Sequence, residues 1–361
     1  MECQKALHHK GGIMPKHMLM EDYPQLVELC EVSEREINEP GRFGLEIPTV
    51  HVCILANEEL GACVTKYNEK FFIGINFGTF FILQGLFCHS LASPKVFAEV
   101  GDPSHETENP KVFNFQITDL YQYVASVENE VIPKGAQRYD MAQSFNTYAI
   151  HFLIFHELGH ALSGHIDFKV SSGGETEFGD ESRKNTPQAK IENNVSQFLE
   201  LDADTFAIQQ SLVKIEGIVN TFDGVRKEKL EFMSKYVCLW AFSVYALCRL
   251  FNRFEPDGAD LMKSGHPSPG IKQLHLLEVI KQVYMWKYTV MHPFYCSPVK
   301  ILALVSLAFR EVEVAFSEIS EQDFTGEFIL HKEHLLKHYK VLSGTFQQNQ
   351  ALIKPYSRLK K

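Results

Sequence analysis

Residues 156–160 read His-Glu-Leu-Gly-His and follow a nearly continuous apolar run. This pattern predicts one buried helix from about Asp140 to Ser163. Positions four apart on a helix differ by about 40° around its axis, so His156 and His160 project from one face, as a metal chelate requires. Glu157 points about 100° further round, where it can reach a water molecule held by the same ion. Burying these ionisable groups is costly unless a partner such as a cation satisfies them.

A second amphipathic helix is predicted from Asn194 to Val213, because apolar residues recur there at helical spacing. Glu200 and Asp204 are four residues apart and share a face of this helix. Glu200 can therefore complete a His-His-Glu ligand set, while Asp204 can accept a hydrogen bond from a ligand histidine. Asp202 should point elsewhere, since it lies about 160° from Asp204 around the axis. The alternative is that these acidic residues form a solvated helix face.

Together the two motifs resemble those of the zincin metallopeptidases, specifically the gluzincin-like group that includes HtpX-like and CAAX-prenyl-protease-like enzymes. The resemblance is carried by residues 156–160 and by residues 200–207, which read Glu-Leu-Asp-Ala-Asp-Thr-Phe-Ala. It implies a single catalytic Zn²⁺ ion with His156, His160 and Glu200 as its protein ligands.

The same resemblance implies roles for three further residues. Glu157 is expected to act as the general base, and Asp204 is expected to support the ligands through a hydrogen bond. His266 lies in the sequence Gly-His-Pro-Ser-Pro, which is similar to a His-Pro element of those enzymes, and it is a candidate to stabilise an oxyanion. Those enzymes usually carry an arginine six residues later, whereas Lys272 occupies that position here. The role of His266 is therefore left open.

Other zinc patterns do not fit the sequence. The metzincin motif needs glycine and histidine seven and ten positions after the first ligand, whereas Gly164 and His165 fall eight and nine positions after His156. His165 is therefore not expected to be a ligand. The 8 cysteines show no CxxC spacing, so we expect neither a cysteine-based zinc site nor a disulfide framework.

Charge and hydropathy narrow the range of partners. The net charge of −10 argues against a nucleic-acid partner, because such proteins need a basic surface. The apolar run 236–248 is shorter than the ~20 residues of a spanning helix, so we predict a core helix there and no membrane span. The first residues lack the pattern of an export signal, which predicts a cytoplasmic protein with reduced thiols.

The predicted fold class is α+β: a mostly helical zincin-like domain with a small antiparallel amino-terminal sheet. Strands are predicted at Pro48–Leu55, Ala62–Lys66 and Phe71–Ile75, where β-forming residues are bounded by turn residues. Residues 1–100 are predicted to form an α+β region packed on the catalytic part, and residues 101–361 the helical metallopeptidase domain. Further predictions are a strand that enters a turn within 71–87, a loop at Ser171–Asn193, and helices at Tyr23–Ser33, Phe115–Val127, Lys227–Asn252, Pro269–Lys287, Pro298–Ser317 and Gln322–Leu342.

These observations predict a zinc-dependent endopeptidase, and so a hydrolase, that acts on a protein or peptide substrate. A looser resemblance to the phage-exclusion peptidase Lit and to ImmA-like regulatory proteases implies cleavage of one folded partner. The alternative is a non-catalytic scaffold or regulatory protein in which zinc supports folding and Glu157 is incidental. A fourth protein ligand would indicate that structural role, whereas three ligands leave a position for water. The histidines could also form a hydrogen-bonded structural pair.

Overall fold

The computed structural model describes residues 2–44, 46–106, 131–173, 177–179, 193–251, 266–291, 296–320 and 327–359. Helices account for most of these residues, as predicted. In chain order they are α1 (Glu2–Leu7), α2 (Lys16–Asp22), α3 (Pro24–Ile37), α4 (Phe77–Ala92), α5 (Ala136–Leu162), α6 (His165–Ser171), α7 (Asn193–Thr221), α8 (Arg226–Phe251), α9 (Pro269–Met291), α10 (Pro298–Ser320) and α11 (Glu327–Ile353).

The helices that sequence periodicity predicts most strongly are confirmed. Helix α5 carries the His-Glu-Leu-Gly-His motif, and α7 carries the acidic motif. The predicted core helix is also confirmed, because residues 239–250 of α8 are all buried. No helix among the described residues combines the length and apolar character that a membrane crossing requires. The helix predicted at Phe115–Val127 lies outside the described residues.

Among the described residues the sheet has four strands, β1 (Val50–Leu55), β2 (Ala62–Tyr67), β3 (Lys70–Asn76) and β4 (Glu177–Gly179), in the order β1-β3-β2-β4. Strand β2 is antiparallel to β3 and to β4, whereas β1 is parallel to β3. The prediction of a wholly antiparallel sheet is therefore wrong, and the sheet is mixed. The three predicted strands are confirmed, but β3 lies between β1 and β2, and the local sequence does not determine which strands become neighbours. Strand β4 lies where the sequence predicted only loop.

Side chains of α3 and backbone groups of the amino-terminal segment cover the outer edge of β1. The Asn38 side chain accepts a hydrogen bond from Val50 N–H at 3.0 Å and donates one to Val50 O at 2.7 Å. Glu34 accepts from Val52 N–H at 2.9 Å. Further along, Met14 N–H donates to Ile54 O at 2.9 Å. An uncovered edge strand can pair with another chain, and these bonds close this edge to such pairing.

Helix α4 follows β3 directly, where the sequence predicted a turn. A Cβ atom at Gly78 would lie 1.8 Å from the carbonyl oxygen of Glu58, so only glycine allows the β1–β2 connection to cross the start of this helix. Gly78 N–H donates to Asn57 O at 2.9 Å, and the Thr79 hydroxyl binds Gly61 O at 2.8 Å. Gly78 is therefore a packing requirement at the start of a buried helix.

The chain forms two compact units, each assembled from separate segments. The first comprises residues 1–81, 153–207 and 344–361, and the second comprises residues 82–152 and 208–343. The boundaries of these units differ from the predicted division at residue 100. The division into two domains at that residue stays a prediction. In the second unit, Tyr245 and Arg249 of α8 bind Glu313 of α10 at 2.5 and 2.7 Å.

We expect His89 to make the free energy of unfolding decrease as the pH falls from about 6.5 to about 4. This side chain is 5% exposed. Burial lowers the pKa of His89 from 6.5 to about 4, and the hydrogen bond to Gly85 O offsets only part of that effect. In this window the unfolded chain binds the proton and the folded chain does not, so acid favours unfolding, by at most ~3 kcal/mol for this group.

Urea denaturation at several pH values tests this expectation. The His89→Gln variant keeps a donor for Gly85 O but does not titrate, so its unfolding free energy should change less steeply with pH than that of the wild type. If the free energy of unfolding changed equally steeply with pH in the two proteins, His89 would not be the source of the pH dependence.

Candidate metal centre

The two motif-bearing helices approach each other at a pair of small residues. A Cβ atom at Gly159 of α5 would lie 3.0 Å from both Cα and the carbonyl oxygen of Ala203 on α7. Ala203 is fully buried. A larger residue at position 159 would separate the helices, so this glycine permits the short distance between the face that carries His156 and His160 and the face that carries Glu200.

Three buried side chains converge at this crossing. His156 Nε2 and His160 Nε2 are 3.0 Å apart, and they lie 3.5 and 3.7 Å from the Glu200 carboxylate oxygens Oε2 and Oε1. Each of the three residues is at most 3% exposed. Ligands placed tetrahedrally at the Zn–N and Zn–O distances of 2.0–2.2 Å are ~3.4 Å apart. His156, His160 and Glu200 can therefore hold one metal ion, as predicted.

Asp204 lies where it can orient a ligand histidine. Its Oδ1 atom is 2.8 Å from His156 Nδ1, on the ring edge that faces away from Glu200 and His160. Because an ionised carboxylate can only accept, Nδ1 carries a hydrogen, and Nε2 is the nitrogen of this ring that can bind a cation. The contact is the one expected for Asp204, and its role at a bound metal stays a prediction.

The surroundings of His156 favour positive charge at its ring. Burial by itself lowers the pKa of His156, but hydrogen bonds to Asp204 and Glu200 and the charges of both carboxylates raise it well above its usual value. A proton and a divalent cation compete for the same nitrogen, so metal binding here releases a proton. The two carboxylates provide the negative charge that a divalent ion requires.

The structure adds two residues that the sequence did not predict for this site. His165 Nδ1 lies 2.8 Å from His160 Nδ1, and His165 Nε2 lies 3.2 Å from Asp202 Oδ2. His165 is fully buried and Asp202 is 6% exposed. The prediction that Asp202 points elsewhere than Asp204 is compatible with this contact, because Asp202 faces His165 whereas Asp204 faces His156. The angles around α5 and α7 could not show that the partner of Asp202 lies on a third helix, α6. His165 is not a member of the three-residue ligand group.

Part of this arrangement has a signal in the sequence. Asp202 stands between Leu201 and Ala203, and an acidic residue in an apolar frame suggests a buried partner. The Gly164-His165 pair directly after the first motif is the second signal, because glycine there ends one helix and turns the chain back. Neither signal identifies which residue the other contacts.

The carboxyl-terminal segment packs against the turn between α5 and α6. Gly164 has φ +85°, and a Cβ atom there would lie 2.3 Å from the carbonyl oxygen of Tyr356. Arg358 N–H donates to Leu162 O at 2.8 Å, and the Arg358 guanidinium binds the Asp167 carboxylate at 2.5 Å. This segment therefore holds the turn that places His165 beside His160.

The two residues predicted to act in catalysis lie in different compact units. Glu157 is 1% exposed and follows His156 on α5, in the first unit. His266 is half-buried, precedes α9 and belongs to the second unit. Both roles stay predictions.

Comparison with known proteins adds no further assignment. No family model matches this sequence, and no match was found among curated proteins or solved structures. The functional argument therefore depends on the site itself.

Proposed function

We propose that this protein is a zinc-dependent endopeptidase whose metal ligands are His156, His160 and Glu200. One observation carries the proposal: the Nε2 atoms of the two histidines are 3.0 Å apart and face each other, while both Nδ1 atoms contact other buried side chains. Two imidazole lone pairs at this distance repel unless a cation or a proton lies between them. A divalent ion satisfies both nitrogens and the Glu200 carboxylate at once.

The chemistry follows from the ligand set. A zinc ion held by His156, His160 and Glu200 would activate a water molecule and polarise the carbonyl group of the substrate. In the proposed reaction a carboxylate oxygen of Glu157 accepts the proton of the attacking water and then returns it to the leaving amine nitrogen. Asp204 and His165 contact the Nδ1 atoms of His156 and His160 and so hold both rings in one orientation. His266 remains a candidate to stabilise the oxyanion.

Sheet geometry limits how a peptide substrate can bind. Zincins generally hold an extended peptide along an edge strand, through backbone hydrogen bonds. The outer edge of β1 is covered by Asn38, Glu34 and the backbone of the amino-terminal segment. We therefore propose that a substrate does not pair with β1.

The rival function is a scaffold in which zinc is structural. A structural zinc site is usually closed by four protein ligands, whereas a catalytic site has three and an open position. Within the part of the chain that the structure describes, the ligand group has three members. The two functions differ in this count, which X-ray absorption of the zinc-loaded protein would measure directly.

The test of the proposal is a search for new peptide termini. Purified zinc-loaded protein is incubated with the proteome of its host cell, with and without a chelator, and the amino termini that appear are sequenced. We expect cleavage products that disappear with chelator and return when zinc is restored. One cleaved protein would indicate a regulatory protease with a single partner, and many would indicate a general peptidase. A zinc-loaded protein that cuts nothing, with four protein ligands at the metal, would support the scaffold instead.

A further inference from the structure

We infer that His165 and Asp202 form a positioning pair that fixes the ring and the tautomer of the ligand His160. The pair lies on the side of His160 opposite the metal: His160 Nε2 faces His156 and Glu200, whereas Nδ1 faces His165. The inference rests on the metal site of the proposed function, but it does not depend on peptide hydrolysis.

The hydrogen positions follow from the order of the contacts. Asp202, when ionised, can only accept, so His165 Nε2 carries the hydrogen at the 3.2 Å contact. The neutral His165 ring then has its lone pair on Nδ1, where it accepts from His160 Nδ1–H at 2.8 Å. His160 in turn has its lone pair on Nε2. One ionised carboxylate thus sets the tautomer of two rings and leaves the ligand nitrogen ready for a cation.

The ligand histidines therefore have separate orienting partners. His156 contacts Asp204 directly at 2.8 Å, while the His165 ring links His160 to Asp202. Asp202 and Asp204 belong to the same helix α7, but they serve rings on different sides of the site. Loss of one pair should leave the other intact, which makes the two contributions separable by mutation.

The position of His165 depends on the turn at Gly164. This residue has a left-handed conformation, and the backbone of Tyr356 fills the space that a side chain would need. Arg358 binds both the end of α5, at Leu162 O, and Asp167 on α6. The short chain connection between His160 and His165, together with the carboxyl-terminal segment, therefore fixes the position of the His165 ring. Because this ring is fully buried, it has little freedom to move away from His160.

Zinc affinity tests the pair, measured by competition with a chromophoric chelator and Zn²⁺ alone. The His165→Phe variant keeps an aromatic ring but has no nitrogen to accept from His160. We expect its zinc affinity to be 10–100-fold weaker than that of the wild type, the usual effect of losing such a partner. His165→Gln offers an amide oxygen to His160 and should recover part of the loss. His89→Phe, the same change at a buried histidine of the other unit, should bind zinc as the wild type does.

The melting temperature of each metal-free variant separates positioning from general stability. A His165→Phe protein that melts earlier but binds zinc as tightly as the wild type would overturn the inference. Should that variant fail to fold, Asp202→Leu carries the same comparison, and unchanged zinc affinity in Asp202→Leu would overturn the inference as well. A wild-type protein that binds no zinc would refute the proposed site itself, whereas one that binds zinc but cleaves nothing would leave the inference standing.

Discussion

The Glu157→Gln variant should bind one zinc ion as tightly as the wild type and yet lose most of its turnover. Glutamine has the same shape as glutamate and fits the same buried position on α5, but its amide cannot accept the proton of the attacking water. General-base catalysis contributes on the order of 10²–10⁴-fold to the rate, so we expect a fall in kcat of that size. Zinc content is measured by elemental analysis. Turnover is measured with a peptide substrate that contains a cleavage site found in the proteome experiment.

The exposed Asp140 on the same helix provides a matched control. Its change to asparagine also removes one carboxylate charge from α5, but it should alter neither zinc content nor turnover. Full activity of the Glu157→Gln variant would refute the assignment of the general base. Loss of zinc in that variant would instead show that Glu157 supports the ligands.

The largest effect on stability is expected for Arg138→Leu. The Arg138 guanidinium is fully buried and donates five hydrogen bonds to backbone carbonyls. The acceptors, at 2.7–3.1 Å, belong to Leu91, Ser93, Val96, Phe97 and Val100. The Glu106 carboxylate lies 3.7 Å from Arg138 Nε and accepts from the N–H groups of Lys134 and Gly135 just before α5.

Leucine at this position would leave five carbonyl groups and one carboxylate buried without the guanidinium. Removing one partner of a buried ion pair costs about 3–5 kcal/mol, and each carbonyl that loses its donor adds to that loss. We therefore expect the free energy of unfolding to fall by on the order of 5 kcal/mol, a large part of the 5–15 kcal/mol typical of a whole protein. The midpoint of urea denaturation measures the change, and so does the yield of soluble protein.

Two variants calibrate this result. Arg138→Lys keeps the charge but has only three donors on one atom, so it should be intermediate in stability. Arg310→Leu removes an exposed arginine of the same compact unit and should change the midpoint little. A wild-type midpoint for Arg138→Leu would contradict the role given to the buried guanidinium.

Local patterns in the sequence were sufficient to predict several elements. The apolar run before His156 predicted α5, the spacing of apolar residues predicted α7, and the run 236–248 predicted the core of α8. The predicted bounds of α5 and α8 differ from the observed ones by at most four residues, whereas α7 continues eight residues beyond the predicted end at Val213. Helical period is a property of neighbours along the chain, which explains why it can be read from the sequence.

Elements that depend on distant partners were predicted less well. The start of α4 requires glycine at position 78 because Glu58 crosses it, and that contact has no local signature. The position of β3 between β1 and β2 makes the sheet mixed. Arg138 would ordinarily be expected at the surface, and only the five carbonyls around it explain its burial.

By itself, the sequence determined that His156 and His160 share one face of a buried helix and that Glu200 shares a face with Asp204, because helical geometry acts within a few residues. Only the tertiary structure decided that these faces meet at Gly159 and Ala203, at distances that suit one ion. It also decided that His165 and Asp202 stand behind His160. Contacts between separate segments depend on how their surfaces fit, and that fit is a property of the whole folded chain.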